Sequence, residues 1–303
     1  MSKIKEIFRI SSQATGTFKF LGLSVNQLKD EIRIDQAAYI ASLTQIPVTL
    51  ARRNQKEIEL TREEKSKLRS ISGQILWVTG HTRPDMAFQA CNVSNYGKKP
   101  TIQKILEANK AIKKMTSTNL SLRYPNLGDT KNIKVVCYSD ATHASLPCGA
   151  SQGAHIIFLY GENGKILPIS WQSKKLRRVT KSPLASETLA LSDAADGGYL
   201  ISTLLQETFR LENKPTVICI TDNQSLKETL LTMNVIQDKR LRVDIACLQE
   251  MTQNGEIHVI WITKDQQLAD CMTKQGASTT ALVEALGSAT VAKLREELDS
   301  AQL

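Results

Sequence analysis

A mixed α/β sheet flanked by helices, preceded by a mainly helical region, is the fold class predicted for this chain of 303 residues. Three observations carry that expectation. In the second part, five short apolar, largely β-branched runs alternate with helical stretches in the order βββαβααβα, which describes a mixed sheet covered by helices. In the first part, apolar residues recur at helical spacing behind recognisable start signals. The charge is also divided: residues 1–130 hold 21 Lys and Arg against 11 Asp and Glu, net +10, whereas residues 131–303 hold 18 against 19, net −1. A basic half beside a neutral one fits a part that grips a polyanion, nucleic acid above all, and fits equally a solvated basic surface.

The elements follow in order. Phe18–Val25 and Glu31–Ile34 read as a strand-like pair joined by a polar turn, and Ala38–Leu43 as a helix. Thr61 with Glu64 three residues on is a capping box opening a helix with Leu68, Ile71, Ile75 and Leu76 on its apolar face. Pro84 fits the first turn of another. From Thr101 to Thr118 a third helix aligns Ile105, Ala108, Ile112 and Met115, leaving Lys104, Lys110, Lys113 and Lys114 for other faces. The turn-like Asn126–Asp129 marks a boundary, giving regions 1–130, 131–277 and a helical tail 278–303.

Beyond it, strands are expected at Ile133–Ser139, Ala154–Tyr160, Ile166–Trp171, Thr216–Thr221 and Ile257–Ile262. A long helix from about Leu184 to Phe209 is expected to be interrupted at Gly197-Gly198; further helices fall at Gln224–Leu231 and Arg240–Gln253, with a last pair carrying Asp270. The six cysteines are widely spaced without a CxxC pair, which speaks for reduced, mostly buried thiols rather than a zinc site or a disulfide framework. No apolar run reaches the roughly 18 residues of a membrane span, and the opening MSKIKEIFRI lacks a signal-peptide core.

Four acids stand out. Asp140 and Asp222 end apolar strands, Glu187 lies near the start of the long helix, and Asp270 follows Gln267-Leu268-Ala269. Singly, each fits turn or cap chemistry, since Asp often ends a strand or starts a helix. Together, and in the wording around them, they carry a resemblance. Tyr138-Ser139-Asp140-Ala141, Ile169-Ser170-Trp171-Gln172-Ser173-Lys174-Lys175, Glu187-Thr188-Leu189-Ala190-Leu191-Ser192, Asp222-Asn223-Gln224-Ser225 and Gln267-Leu268-Ala269-Asp270-Cys271-Met272-Thr273-Lys274 occur in that order. This series resembles the ribonuclease H domain of copia-type LTR retrotransposon Pol polyproteins. Upstream, Phe20-Leu21-Gly22-Leu23, Gly73-Gln74-Ile75-Leu76-Trp77-Val78-Thr79 and Thr82-Arg83-Pro84-Asp85-Met86-Ala87-Phe88 look like the thumb and connection that follow the reverse-transcriptase palm in those polyproteins.

The resemblance implies a ribonuclease H-like mixed five-stranded sheet with flanking helices, preceded by a mainly helical thumb/connection region. It implies hydrolysis of the RNA strand of RNA–DNA hybrids with two Mg²⁺ ions, for which Mn²⁺ can substitute, held by Asp140, Glu187, Asp222 and Asp270. Carboxylates without histidine or thiolate suit that hard ion. Lys174, Lys175, Arg177, Arg178 and Lys181, placed between the third strand and the first helix of this part, are expected to contact phosphates. Ser139, Asn223 and Gln224 are expected to meet 2′-hydroxyls. The implied partners are an RNA–DNA hybrid and the palm and fingers of the upstream reverse transcriptase, with no membrane, in the cytoplasm (in a virus-like particle) or the nucleus.

The sequence also departs from the family. Thr142-His143-Ala144-Ser145 stands where Asp-Trp-Ala-Gly is common, and Arg242-Val243-Asp244 where many have His-Ile-Asp. His143 reads either as an incidental exposed histidine or as an aid to proton transfer at Asp140. No Tyr-x-Asp-Asp polymerase motif occurs, so the chain is expected to be a C-terminal piece of a polyprotein or a truncated derivative beginning at its own Met1. The alternative function is that of a domesticated, non-catalytic remnant that binds nucleic acid or serves as a structural part.

Overall fold

A computed structural model of the chain describes residues 7, 9, 13–146, 149–232 and 236–301. Most of the opening ten residues and Cys148 lie outside them.

The first region begins with strands β1 (Thr17–Phe20), β2 (Leu23–Gln27) and β3 (Glu31–Asp35). The stretch read as one strand is therefore itself a hairpin. Leu21 and Gly22 both take positive φ, 49° and 79°, a two-residue turn whose twist matches its flanking strands. Short helices α1 (Ala37–Ser42) and α2 (Leu50–Arg53) lead to α3 (Arg62–His81), which opens on the expected capping box: Thr61 Oγ1 accepts from Glu64 N and Glu64 Oε2 accepts from Thr61 N. After a 3-10 turn at Pro84–Met86 come α4 (Ala87–Ser94), α5 (Ile102–Ser117) and strand β4 (Leu122–Pro125). β4 returns to pair with β3 and closes a four-stranded antiparallel sheet. Leu68, Ile75, Ile105, Ile112 and Met115 are fully buried between α3, α4 and α5 in a core of this region's own.

The second region holds β5 (Lys134–Leu146), β6 (Ala150–Tyr160), β7 (Ile166–Lys175), helix α6 (Pro183–Phe209), β8 (Val217–Thr221), helices α7 (Gln224–Leu231) and α8 (Lys239–Gln253), β9 (His258–Trp261), and helices α9 (Thr280–Ser288) and α10 (Leu294–Ser300). Strand order is β7-β6-β5-β8-β9; β5, β6 and β7 pair antiparallel, while β8 and β9 run parallel to β5. This is the ribonuclease H-like mixed sheet that the motifs imply. Val135, Cys137 and Ile157 face α6 and α8. Val136, Tyr138, Ile156 and Phe158 face the other way, onto Leu282, Leu286, Leu294 and Leu298 of α9 and α10 and onto Leu120 and Leu122 of the first region.

Several elements differ from expectation. The first three strands run on into polar tails, so Lys174 and Lys175 end β7 rather than opening a loop. Helix α6 is continuous through Gly197 and Gly198 because both glycines lie against the sheet. A Cβ on Gly198 would stand 2.6 Å from Cys137 Sγ, and one on Gly197 2.9 Å from Ile157 Cδ1. Asp270 sits on a 3-10 turn, Asp270–Met272, not on an α-helix. The described cysteines are free thiols, with Cys137, Cys219 and Cys271 buried, Cys91 half-buried and Cys247 exposed. Among the described residues no helix is long and apolar enough to cross a membrane.

Candidate active site

The site forms where the central strands end. Asp140 is the seventh residue of β5, and β8, parallel beside it, stops at Thr221, which puts Asp222 at the same end of the sheet. Trp261 Nε1, from β9, fixes the Asp222 backbone by donating to its carbonyl at 3.0 Å. Helix α6 starts there too: Ser182 Oγ caps Ala185 N at 3.1 Å, Pro183 takes the first turn, and Glu187 follows one turn in. The three segments bring one carboxylate oxygen each from Asp140, Glu187 and Asp222 within 4.8 Å of one another.

The fourth acid is held differently. The 3-10 turn is laced to the sheet by Ser173 Oγ, which donates to Met272 O at 2.6 Å, and by Gln267 Nε2, which donates to Ser139 O at 3.0 Å. From this turn Thr273 Oγ1 donates to Asp140 Oδ2, and Lys274 Nζ pairs with Asp270 Oδ1 while lying 4.0 Å from Asp140 Oδ2. Asp270 stands beside the cluster but outside the three converging oxygens.

Burial and like charge dominate the electrostatics. Asp140 is 2% exposed and Glu187 7%. Desolvation, with added repulsion from Asp222 and Asp270, pushes Asp140 up to about 6 against the opposing help of Thr273 and Lys274. Glu187 is pushed up to about 9 by desolvation and by the charges of Asp140 and Asp222, and Asp222 is raised by its own burial. Glu187 Oε2 is buried without a hydrogen-bond partner. An orphaned carboxylate oxygen on one of three acids whose oxygens converge is the environment in which a hard divalent cation would relieve both repulsion and desolvation. These residues fit such an ion.

The other expected contacts distribute unevenly. Lys174 pairs with Asp193 at 2.8 Å, Arg178 with Asp244, and Lys181 with Asp238 at 3.6 Å, whereas Lys175 and Arg177 are exposed. Ser139 is 1% exposed, and as Asp140's neighbour along the strand it points to the opposite face of the sheet. Asn223 caps α7 by accepting from Leu226 N at 2.9 Å, and Gln224 Nε2 donates to Glu228 at 2.8 Å. His143 is not the exposed histidine expected. Its Nδ1 lies 3.2 Å from Thr180 Oγ1 and 3.1 Å from Ser186 Oγ, in a knot of hydroxyls at the start of α6. Thr273, Lys274, Gln267 and Ser173 fall inside the strings that carry the resemblance, but the strings alone assign them no role. The signal for Thr273 and Lys274 was their place three and four residues after Asp270, where a turn folds side chains back on its start.

No family model matches the chain. Homologues among curated proteins are retrotransposon products. The Retrovirus-related Pol polyprotein from transposon RE1 of Arabidopsis thaliana is 26% identical over 271 residues, 84% of this chain and 18% of the polyprotein. That from transposon RE2 of the same plant is 25% identical over the same shares. A transposon Ty5-1 protein of Saccharomyces cerevisiae is 25% identical over 54% of this chain and 56% of its own length. The chain thus spans under a fifth of the two plant polyproteins. Among solved structures, an N-terminal RNase H domain from Mycobacterium tuberculosis has TM-score 0.34 and 12% identity, covering 56% of this chain and 99% of that one. The foamy viral protease-reverse transcriptase in complex with RNA/DNA hybrid has TM-score 0.43 and 12% identity, covering 87% and 31%. At these scores the structural likenesses add nothing to the topology described above.

Proposed function

We propose that the chain is a metal-dependent endonuclease of ribonuclease H type, of copia-type retrotransposon descent, that hydrolyses the RNA strand of RNA–DNA hybrids. The observation that carries the reading is the convergence of Asp140, Glu187 and Asp222, from a strand, a helix start and a strand end, on a space 4.8 Å across. Two buried acids and a half-buried third so close are costly unless a cation offsets them, so their assembly favours a site over a structural accident. The Pol polyprotein names of the homologues support the same class of activity.

Divalent ions bound there, Mg²⁺ by preference, would activate water near neutral pH and stabilise charge on the attacking and leaving oxygens. The carboxylates of Asp140, Glu187 and Asp222 would hold one ion, and Asp270 with Asp140 a second. The chain's own contributions are orientation and charge. Thr273 fixes one oxygen of Asp140, the hydrogen bond from Trp261 fixes Asp222, and the capped start of α6 fixes Glu187. Lys175 and Arg177 are exposed on the approach, where phosphates of an incoming strand would pair with them. The natural partner would be the upstream reverse transcriptase that delivers a hybrid.

Incubation of the purified chain with a hybrid labelled on its RNA strand, with and without Mg²⁺ or Mn²⁺, tests this. Metal-dependent RNA fragments that vanish with Asp140→Asn are expected; an intact hybrid under every condition rejects the proposal.

A further inference from the structure

Lys274 occupies an unusual place. Among the described residues it supplies the ion pairs that the four site acids make: its ammonium bonds Asp270 Oδ1 and lies 4.0 Å from Asp140 Oδ2. The side chain is 32% exposed, on a flexible stem. Asp140 Oδ2 is further engaged by Thr273, and Asp270 stays outside the three converging carboxylates. The protein alone therefore presents one three-carboxylate site whose Glu187 Oε2 lacks a partner, next to a fourth acid that already has a cation.

We propose that Lys274 is a built-in counter-cation standing between Asp140 and Asp270, which restricts the free protein to a single divalent ion and admits a second only when its side chain is drawn away. The inference rests on the metal-dependent reading above. Two divalent ions plus an ammonium within a few ångströms would leave mutual repulsion that four carboxylates do not cancel, so the ammonium and the second ion exclude each other. A phosphodiester entering the site offers the ammonium an anionic partner in exchange for Asp270, so the second position opens as substrate arrives. The arrangement makes Lys274 a positioning residue for the metal set.

Calorimetric titration of Mn²⁺ into the full chain without nucleic acid reads this directly. The unsubstituted chain is expected to bind one ion. Lys274→Gln is expected to bind two, the second at least about tenfold tighter than any second binding by the unsubstituted chain, within the range by which neighbouring side chains tune metal affinity. Lys274→Arg, which keeps the charge, should return to one, and Asp270→Asn added to Lys274→Gln should remove the second ion again. Thermal melting provides a second readout: without metal Lys274→Gln should melt below the unsubstituted chain, and Mn²⁺ should raise its melting temperature by the larger amount. One ion bound by both the unsubstituted chain and Lys274→Gln, or two by both, overturns the role of Lys274 and leaves the metal site standing. Binding by neither chain overturns the metal site and this inference together.

Discussion

Thr273 donates its hydroxyl to Asp140 from 133 residues along the chain. Asp140 is buried, and this bond is among the interactions that keep its carboxyl from rising further. Thr273→Val keeps the shape and deletes the donor. The loss of a hydrogen bond to a buried charge should destabilise the protein by about 1.5–3 kcal/mol above neutral pH. Near pH 5, where Asp140 is largely protonated, the loss should fall toward about 1 kcal/mol. Urea unfolding at the two pH values measures the difference. Equal losses would mean that Thr273 does not act through the charge of Asp140.

The acids set a pH dependence of stability. Asp140, Glu187 and Asp222 all titrate higher in the folded protein than the ordinary carboxylate, chiefly through desolvation. The folded state therefore holds more protons than the unfolded one between the ordinary carboxylate range and about 9. The stability these groups contribute is whole below about pH 4 and is lost as pH rises. Glu64, drawn down to about 2 by Arg52, works in the opposite sense, but only below its ordinary range, so the two windows separate. Metal-free protein should melt progressively lower from about pH 5 to pH 9, and Glu187→Gln should flatten that slope. Saturating Mg²⁺, which favours the ionised acids, should stabilise more at the alkaline end. A metal-free melting temperature that rises over this range would contradict the burial of the cluster.

Gly198 is the next test. A methyl group there meets Cys137 Sγ at 2.6 Å and Val217 Cγ1 at 2.8 Å, both on strands that cannot retreat. Gly198→Ala gains up to about 1 kcal/mol in helix propensity but should lose about 1–3 kcal/mol to overpacking, a net destabilisation. Gly197→Ala meets only the tip of Ile157 and should be close to neutral. Denaturation midpoints of the two variants distinguish close packing from the helix break that the glycine pair suggested.

That pair misled because its meaning depends on the sheet it packs against, whereas local signals were legible. Period and capping signals located α3, α5 and α7 closely, because Thr61 with Glu64 and the Ile105-Ala108-Ile112-Met115 face are local properties. The tails of β5, β6 and β7 were hidden, since Thr142 and Gln172 become strand only through pairing with Gln152 and His155 of β6. The acids were visible because each sits in a distinctive string. The partners of the basic run were not: Asp193, Asp238 and Asp244 come from α6 and the start of α8, and only the fold brings them near.

Arg83 and Asp85 form a fully buried ion pair, bidentate at 2.8 Å, with Arg83 also donating to Met115 O and Thr118 O at 3.1 and 3.2 Å. Asp85→Asn would strand the guanidinium without its counter-charge and should cost about 3–5 kcal/mol. Replacing both residues by apolar ones should cost less than Asp85→Asn alone. A chemical-denaturation cycle over the four proteins checks it; a double variant weaker than the single would place the stabilisation in the carbonyl contacts instead.

The ion pairs of the basic run divide its cations into two kinds. Arg178 and Lys174 already spend their charge on Asp244 and Asp193, so a phosphate would have to compete with those acids, and only part of the charge would be free to displace counterions. Lys175 and Arg177 are exposed and unpaired among the described residues, and each phosphate they neutralise should steepen the salt dependence of binding by nearly one unit of slope. Lys175→Ala and Arg177→Ala should thus each lower the slope of log affinity against log salt by up to about 0.9. Arg178→Ala should lower it by less, while loosening the loop before α6. Hybrid binding by the Asp140→Asn protein, measured across a salt series, separates the two kinds. Equal slope losses at Lys175, Arg177 and Arg178 would show that Asp244 does not hold Arg178 back from the hybrid.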